Sequence, residues 1–368
     1  MADGSTTLER VPSPDRVLVC DTFRGPKVVV GWEVGLSTFQ RVSGLARAGA
    51  AFAGGVTEMK QLPLYYWIEP TSACNLRCVM CPTGQGLDRR SGMMSMDLFE
   101  QIIEQIAPMR PAINLHHSGE PLLHPRIHEM TTHARSKGAY VGYFTNATKL
   151  DAEARAQILD APPNWIGFSV DGYDRSTYES VRVRSSWDLA MGNIERLLAE
   201  RRARGQRLPY TYLSTVELPN QDVDWPKARR IFRAHFRAMG LDQLSVASTH
   251  SWAGSMSWLS NGEAVQRSQC PFPWTGVGIL WNGTVVPCCM DLEGSHPVGN
   301  LQEQSLMEVW NGTPMQDLRR ALAERRAKDV PLCADCSVVK DKSYFGVPAR
   351  AWRDLLDIAR SEVHRVLP

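Results

Sequence analysis

The chain has 368 residues, 43% of them hydrophobic and 22% charged, with a formal net charge of +2; this is an ordinary globular composition with room for one large and one smaller domain, and it argues for no particular partner. The basic runs 196–207 and 319–328 are interrupted by Glu and Leu at helical spacing, so they read as solvated helix faces and not as a nucleic-acid footprint. No segment approaches the ~18–20 uninterrupted apolar residues of a membrane span.

The first nineteen residues carry Asp3, Glu9, Arg10, Asp15 and Arg16 and no apolar core, so a secretory signal is not expected and a cytoplasmic location is. In that compartment the nine cysteines are expected to be metal ligands, catalytic groups or core thiols, not disulfides. Residues 1–60, rich in Gly and small side chains, predict a partly helical extension wrapped on the main domain. The small-residue stretch 45–55 is expected to be a surface or packing helix, and Cys20 a core thiol.

From 61 to 250 the pattern alternates. Residues 64–69 read as a strand that ends in a cysteine-containing loop. Ser95 opens a helix through about residue 107, with Leu98, Ile102, Ile103 and Ile106 at helical spacing. Strands follow at 112–117, 140–145, 165–170, 210–216 and 243–247, separated by helices near 127–137, 152–159, 187–203 and 225–239. Six strands alternating with helices predict an α/β fold of parallel strands joined by right-handed crossovers. The loops after the strands then gather at one face, where α/β barrels place their chemistry.

Beyond about 248–268 the character changes. Residues 276–281 and 284–287 flank Asn282-Gly283, the dipeptide that a type I′ hairpin prefers because both central residues need positive φ. A separate small domain is predicted over 251–345, with short antiparallel strands, four cysteines and a closing helix; 346–368 is expected to be a C-terminal helix.

Cys74, Cys78 and Cys81 form a C-x3-C-x2-C pattern in the loop after the first strand. Three thiolates can hold three irons of a four-iron cluster and leave the fourth iron open to a chelating small molecule. A structural zinc would want a fourth ligand, and none lies nearby before His116.

With this motif at the end of the first strand, residues 63–250 resemble the radical S-adenosylmethionine (SAM) core, a partial (β/α)6 barrel. The resemblance implies a cluster that cleaves SAM to a 5′-deoxyadenosyl radical, and a reductase such as flavodoxin or ferredoxin as electron donor. Ser118-Gly119-Glu120-Pro121 resembles the family's Gly-Gly-Glu-Pro motif, with Ser in place of the first Gly; its backbone and Glu120 are implied to hold the SAM amino group. Thr145 and Asn146 end the third strand at a family cofactor contact, and Ser169 ends the fourth near the implied ribose. Met80 stands where the family usually places an aromatic side chain against the adenine, and a thioether can pack there.

Cys270, Cys288, Cys333 and Cys336 give C-x17-C-x44-C-x2-C, four thiolates that suit either a zinc ion or a four-iron cluster. Beside a radical SAM core the region resembles the twitch domain, a shortened relative of the SPASM domain, which implies a second 4Fe–4S cluster. The hairpin before Cys288, Gly299-Asn300-Leu301 and Val309-Trp310-Asn311 share that likeness, and the spacing resembles that of 2-deoxy-scyllo-inosamine dehydrogenases, which oxidise an aminocyclitol alcohol. Cys289 should face away from Cys288; it reads as a core thiol or as a hydrogen-atom donor, and the latter would make an epimerase.

His116, His117, Tyr143, Asp171, Glu217 and His250 lie at or near predicted strand ends and are candidates to take a substrate hydroxyl proton, against structural roles for each. Trp252, Trp258 and Trp274 are expected either to stack on a ring-shaped substrate or to be packing residues. Together the readings lead to a dehydrogenase of a small sugar or aminocyclitol intermediate of aminoglycoside-like antibiotic biosynthesis. The alternatives are epimerisation, decarboxylation or peptide modification on the same cofactors, and a non-enzymatic metal- or nucleic-acid-binding protein.

Overall fold

Strands β1 (Tyr65–Ile68), β2 (Ala112–Asn114), β3 (Tyr140–Thr145), β4 (Trp165–Ser169), β5 (Tyr210–Val216) and β6 (Gln243–Ala247) lie side by side in chain order, each parallel to the next. The structure, a computed structural model, describes residues 19–20, 38–218, 223–247, 249–259, 269–339, 343–344 and 347–348. The longer helices up to the end of the parallel strands are α1 (Thr38–Ala53), α2 (Met96–Ile106), α3 (Ile127–Ser136), α4 (Ala152–Asp160), α5 (Arg175–Val181), α6 (Trp187–Ala203) and α7 (Trp225–Ala238). The α/β fold of six parallel strands expected from the sequence is present. No helix among the described residues is long and apolar enough to cross a membrane.

Every crossover helix but α3, whose N-cap residue Arg126 makes no side-chain cap bond, starts where a short polar side chain can satisfy a free backbone N–H. Ser95, Asp151, Ser186 and Asp224 cap α2, α4, α6 and α7 in this way, and Asp174 caps α5, a seven-residue helix whose apolar positions were too few to mark it. The second strand stops at Asn114, earlier than expected: Leu115 still donates to Gly142 O at 2.8 Å, and the chain then leaves the ladder through His116 and His117.

The sheet interior is filled by rings. Gly142 pairs with Trp165 and Gly167 with Phe144; a Cβ on Gly142 would stand 2.1 Å from the Trp165 ring, and one on Gly167 2.5 Å from Phe144. The two bare positions let Phe144, Trp165, Tyr212 and His116 pack into one cluster, with ring centroids 4.9 Å apart for Phe144–Tyr212 and 5.2 Å for His116–Phe144.

The C-terminal hairpin is not a free-standing sheet. Strand β7 (Gly276–Ile279) pairs in parallel with β1, and β8 (Thr284–Val286) and β9 (Gly299–Asn300) continue the same sheet antiparallel. The free edge of β1 supplies the missing backbone partners: Leu64 donates to Thr275 O and Glu69 to Ile279 O. The turn is also different from a type I′ turn. Leu280 N bonds Thr284 O and Gly283 N bonds Leu280 O, so the loop is Trp281-Asn282-Gly283, and of these only Gly283 takes a positive φ, 82°; that is the three-residue hairpin with a glycine bulge.

Two residues in the basic runs are buried, not solvated. Arg201 donates to Asp242 and to Pro209 O. Arg319, on α8 (Thr313–Ala323), lies 4.2 Å from the Trp310 ring and donates to Pro273 O and Thr57 O; burial lowers its pKa to about 10. It helps to fix the end of the N-terminal extension to the C-terminal region, where Phe52 also meets Trp274 edge-on at 5.3 Å. The Cys20 side chain and residues 349–368, with most of the expected closing helix, lie outside the described residues.

Two glycines test this packing with opposite signs. Gly142→Ala is expected to lower stability by about 1–3 kcal/mol through overpacking against Trp165. Gly49→Ala, on α1 with nothing within 4 Å of its Cβ position, should raise stability by about 0.5–1 kcal/mol. Urea unfolding of both variants checks the pair.

Candidate active site

A cavity of 280 Å³ opens at the ends of the strands. Cys74, Cys78 and Cys81 line it on one side. Their loop is clamped by a two-residue antiparallel pairing that sets Cys78 opposite Arg182. A Cβ on Gly84 would lie 2.3 Å from Cys78 O, so the tight return of the loop requires glycine there. Burial pushes the Cys74 thiol up to about 11 and the Cys78 thiol up to about 12, the latter against the opposing pull of Arg182. Buried thiols of this kind become thiolates when a bound cation offsets their charge.

The motif after β2 borders the same space. Gly119 passes so close to the cysteine loop that a Cβ would stand 2.1 Å from Thr71 O, and Glu120 N donates to Ala73 O. The Glu120 carboxylate is buried and accepts from Thr145 Oγ1 at 2.7 Å, Asn146 N at 2.7 Å and Leu122 N at 3.1 Å. Burial raises its pKa, against those hydrogen bonds. Asn146 in turn donates to Asn75, inside the cysteine loop. Met80, Ser118, Gly119, Glu120, Thr145 and Asn146 all line the cavity, as does Ser169.

The proton-acceptor candidates separate. Asp171 lines the cavity, but it accepts from Val216 N at 2.7 Å and is ion-paired with Arg182 at 2.6 Å, and Arg182 Nη1 lies 3.9 Å from Cys78 Sγ. Its carboxylate is committed to holding a cation against a cluster cysteine, which does not suit a catalytic base. Glu217 is a second correction: Ser214 and Val216 line the cavity, while Glu217, on the opposite face of the extended chain, is bound by Arg229 at 2.6 Å and by Tyr173 Oη at 2.8 Å. Tyr143 likewise is not among the lining residues. His250 lines the cavity, and its Nδ1 accepts from Trp252 N at 3.3 Å. Of the three tryptophans only Trp252 reaches the cavity; Trp274 is buried on Val56 O, and Trp258 is 53% exposed. Cys289 also lines it.

Sequence reasoning missed Glu69. Its side chain, at the end of β1, is fully buried and accepts from Arg89, from the Ser118 hydroxyl and from Trp281 N at 3.1 Å, with His117 Nδ1 3.8 Å away. Burial alone would raise its pKa; His117 and Arg89 outweigh that and bring it down to about 2. The available signal was a lone carboxylate closing an otherwise apolar strand. Arg182 was missed as well, in a stretch with no motif around it.

The second cysteine set gathers in the C-terminal region, around the end of the hairpin at Cys288. Burial, then the neighbouring Cys288, Cys336 and Cys333, push the Cys270 thiol well up. The hydrogen bond that the Cys288 thiol gives to Cys289 raises its pKa, as does burial. Among the described residues no three His, Cys, Asp or Glu side chains sit close enough to hold a single metal ion. The thiols of both sets are the donor type that iron–sulfur clusters take.

Residues 68–206 match the Radical SAM superfamily, and residues 270–337 match SPASM, an iron-sulfur cluster-binding domain. The tungsten-containing aldehyde ferredoxin oxidoreductase cofactor-modifying protein of Pyrococcus furiosus is 24% identical over 74% of this chain and 87% of that protein. A crystal structure of BtrN in complex with AdoMet and 2-DOIA shares the fold with a TM-score of 0.52 at 18% identity, over 78% of this chain and 99% of that one. Streptococcus suis SuiB bound to precursor peptide SuiA gives a TM-score of 0.53 at 14% identity, over 85% of this chain and 80% of that one. The two domains imply SAM and more than one 4Fe–4S cluster.

Two outcomes follow from this geometry. Glu69→Gln should destabilise the protein by about 3–5 kcal/mol, because Arg89 loses its buried counter-charge; the contribution is complete above the ordinary carboxylate range and is lost as pH falls through about 2, and chemical unfolding of the cluster-free protein measures it. Replacing Cys74, Cys78 and Cys81 together by Ala should abolish 5′-deoxyadenosine formation yet leave a brown protein with about four irons per chain, against about eight in the parent, by iron analysis. A colourless triple variant carrying zinc would contradict the second assignment.

Proposed function

We propose that this chain, a radical SAM protein with a SPASM domain, is a dehydrogenase that converts a secondary alcohol of a small sugar or aminocyclitol to a ketone. The observation that carries this reading is the placing of the second cysteine set: Cys270, Cys288, Cys333 and Cys336 lie together, and none of them lines the cavity that holds the first three cysteines. A cluster there has no open iron to offer a substrate, and accepting one electron is the role left to it. When bound, SAM with its cluster supplies a radical that removes a carbon-bound hydrogen, and the second cluster supplies the one-electron acceptor.

The chain's own residues do the rest. Glu120, with Thr145 and Asn146 fixed around it, is proposed to hold the amino group of SAM; Met80 would pack on the adenine and Ser169 would meet the ribose. The remaining wall presents Trp67, Asn114, His117 and Trp252, a mixture of aromatic and hydrogen-bonding groups suited to a hydroxylated ring. The shared fold with BtrN in complex with 2-DOIA supports that ring-sized class. A flavodoxin or ferredoxin reductase is proposed as electron donor.

A second reading is favoured by Cys289, whose position on the cavity allows it to return a hydrogen atom and so to epimerise. Turnover in heavy water separates the two. The dehydrogenase consumes SAM one-for-one, its product is lighter by two hydrogens, and Cys289→Ala leaves product formation intact. A product of unchanged mass that gains one carbon-bound deuterium, lost in Cys289→Ala, would establish the epimerase instead.

A further inference from the structure

We propose that His117 hydrogen-bonds the reacting hydroxyl of the substrate and takes its proton. The proposal rests on the dehydrogenase reading. His117 lies just beyond β2 with its side chain fully buried, lines the cavity, and has no hydrogen bond at either ring nitrogen. Buried polar atoms in folded proteins find partners, and the cavity is the space that His117 borders. The ring also has room reserved for it: a Cβ on Gly278 of β7 would stand 3.2 Å from its Nε2.

Behind the ring, Glu69 Oε1 lies 3.8 Å from Nδ1 and is held by Arg89, Ser118 and the Trp281 backbone. A proton gained by His117 therefore forms a cation facing a carboxylate that is already fixed, with no rearrangement needed. The rival groups are committed elsewhere. His116 is embedded in the aromatic cluster, where burial and then His117 bring its pKa down to about 3. Asp171 is tied to Arg182, and Glu217 lies off the cavity.

The step balances. The substrate O–H bond breaks and its proton goes to the His117 ring; the carbon-bound hydrogen leaves as an atom to the SAM-derived radical; the remaining electron goes to the iron–sulfur acceptor, and the C=O bond forms.

The test uses the cluster-loaded full chain and 2-deoxy-scyllo-inosamine deuterated at the oxidised carbon. His117→Gln and His117→Ala should still transfer deuterium into 5′-deoxyadenosine, while ketone formed per deuterium transferred falls about 10²-fold or more. Added imidazole should restore ketone formation in His117→Ala and not in His117→Gln. An unchanged ketone yield per deuterium in both variants would overturn the proposal and leave the dehydrogenase standing, as would loss of deuterium transfer together with the clusters, which marks a purely structural residue. If the parent protein makes no ketone from the probe, the dehydrogenase reading falls and takes this proposal with it.

Discussion

A single buried carboxylate, Glu69, joins parts of the molecule that are far apart in sequence. It ends β1, the strand that leads into the first cysteine loop. Arg89 reaches it from beyond that loop and also donates to Leu292 O, past the hairpin. The Ser118 hydroxyl brings in the motif after β2, and Trp281 N brings in the turn between β7 and β8. Moving a charge this deep costs several kcal/mol unless it is paired and fully hydrogen-bonded, so the three partners must arrive together or the site is worse than an apolar one. That requirement explains why the hairpin extends the parallel sheet instead of folding as a separate lobe: β7 lies along β1, and Glu69 and Trp281, just past the ends of the two strands, then meet.

A second tie runs between the two cysteine loops. Trp252 Nε1 donates to Met80 O, between Cys78 and Cys81. The preceding residue, Ser251, exchanges hydrogen bonds with Ser337 N and Asp335 O on either side of Cys336. Trp252 and Ala253 both take positive φ, 46° and 55°, a conformation that costs free energy for residues with a Cβ. The surrounding bonds hold that strained step in place, and the distance between the two loops is thereby fixed by two adjacent residues and not by a long flexible connection.

Much of the fold was legible. The strands at 140–145, 210–216 and 243–247 and the helix at 187–203 fall where the sequence pattern put them, the helix with Ser186 as its cap. Both cysteine sets and the motif after β2 were visible since they are local spacings. What was hidden depends on contacts made across the sequence. The Asn-Gly turn took a three-residue form because Leu280, not Trp281, is the last residue to pair. Arg201 and Arg319 look like surface cations in sequence, and only the folded chain shows the backbone carbonyls that satisfy them. Asp171 and Glu217 are both acids near strand ends; the choice of Arg182 or Arg229 as partner is a tertiary fact, and it removes both as bases.

The same logic separates two outcomes that local sequence could not. Cys288 and Cys289 are neighbours, one gathered with the other three C-terminal cysteines and the other on the cavity wall. On the two proposed readings, an electron acceptor and a hydrogen-atom donor would lie one residue apart. A neutral α-hydroxy radical is a modest reductant and a good acceptor of a thiol hydrogen. Once its hydroxyl proton is removed it carries negative charge on oxygen and gives up an electron far more readily. On the proposed assignment of His117, the position of a base decides between the two exits: with the proton taken toward Glu69, electron loss across the wall outruns hydrogen return from Cys289. On that assignment, a buried imidazole backed by a fixed carboxylate is the feature of this cavity that favours a ketone over an inverted alcohol.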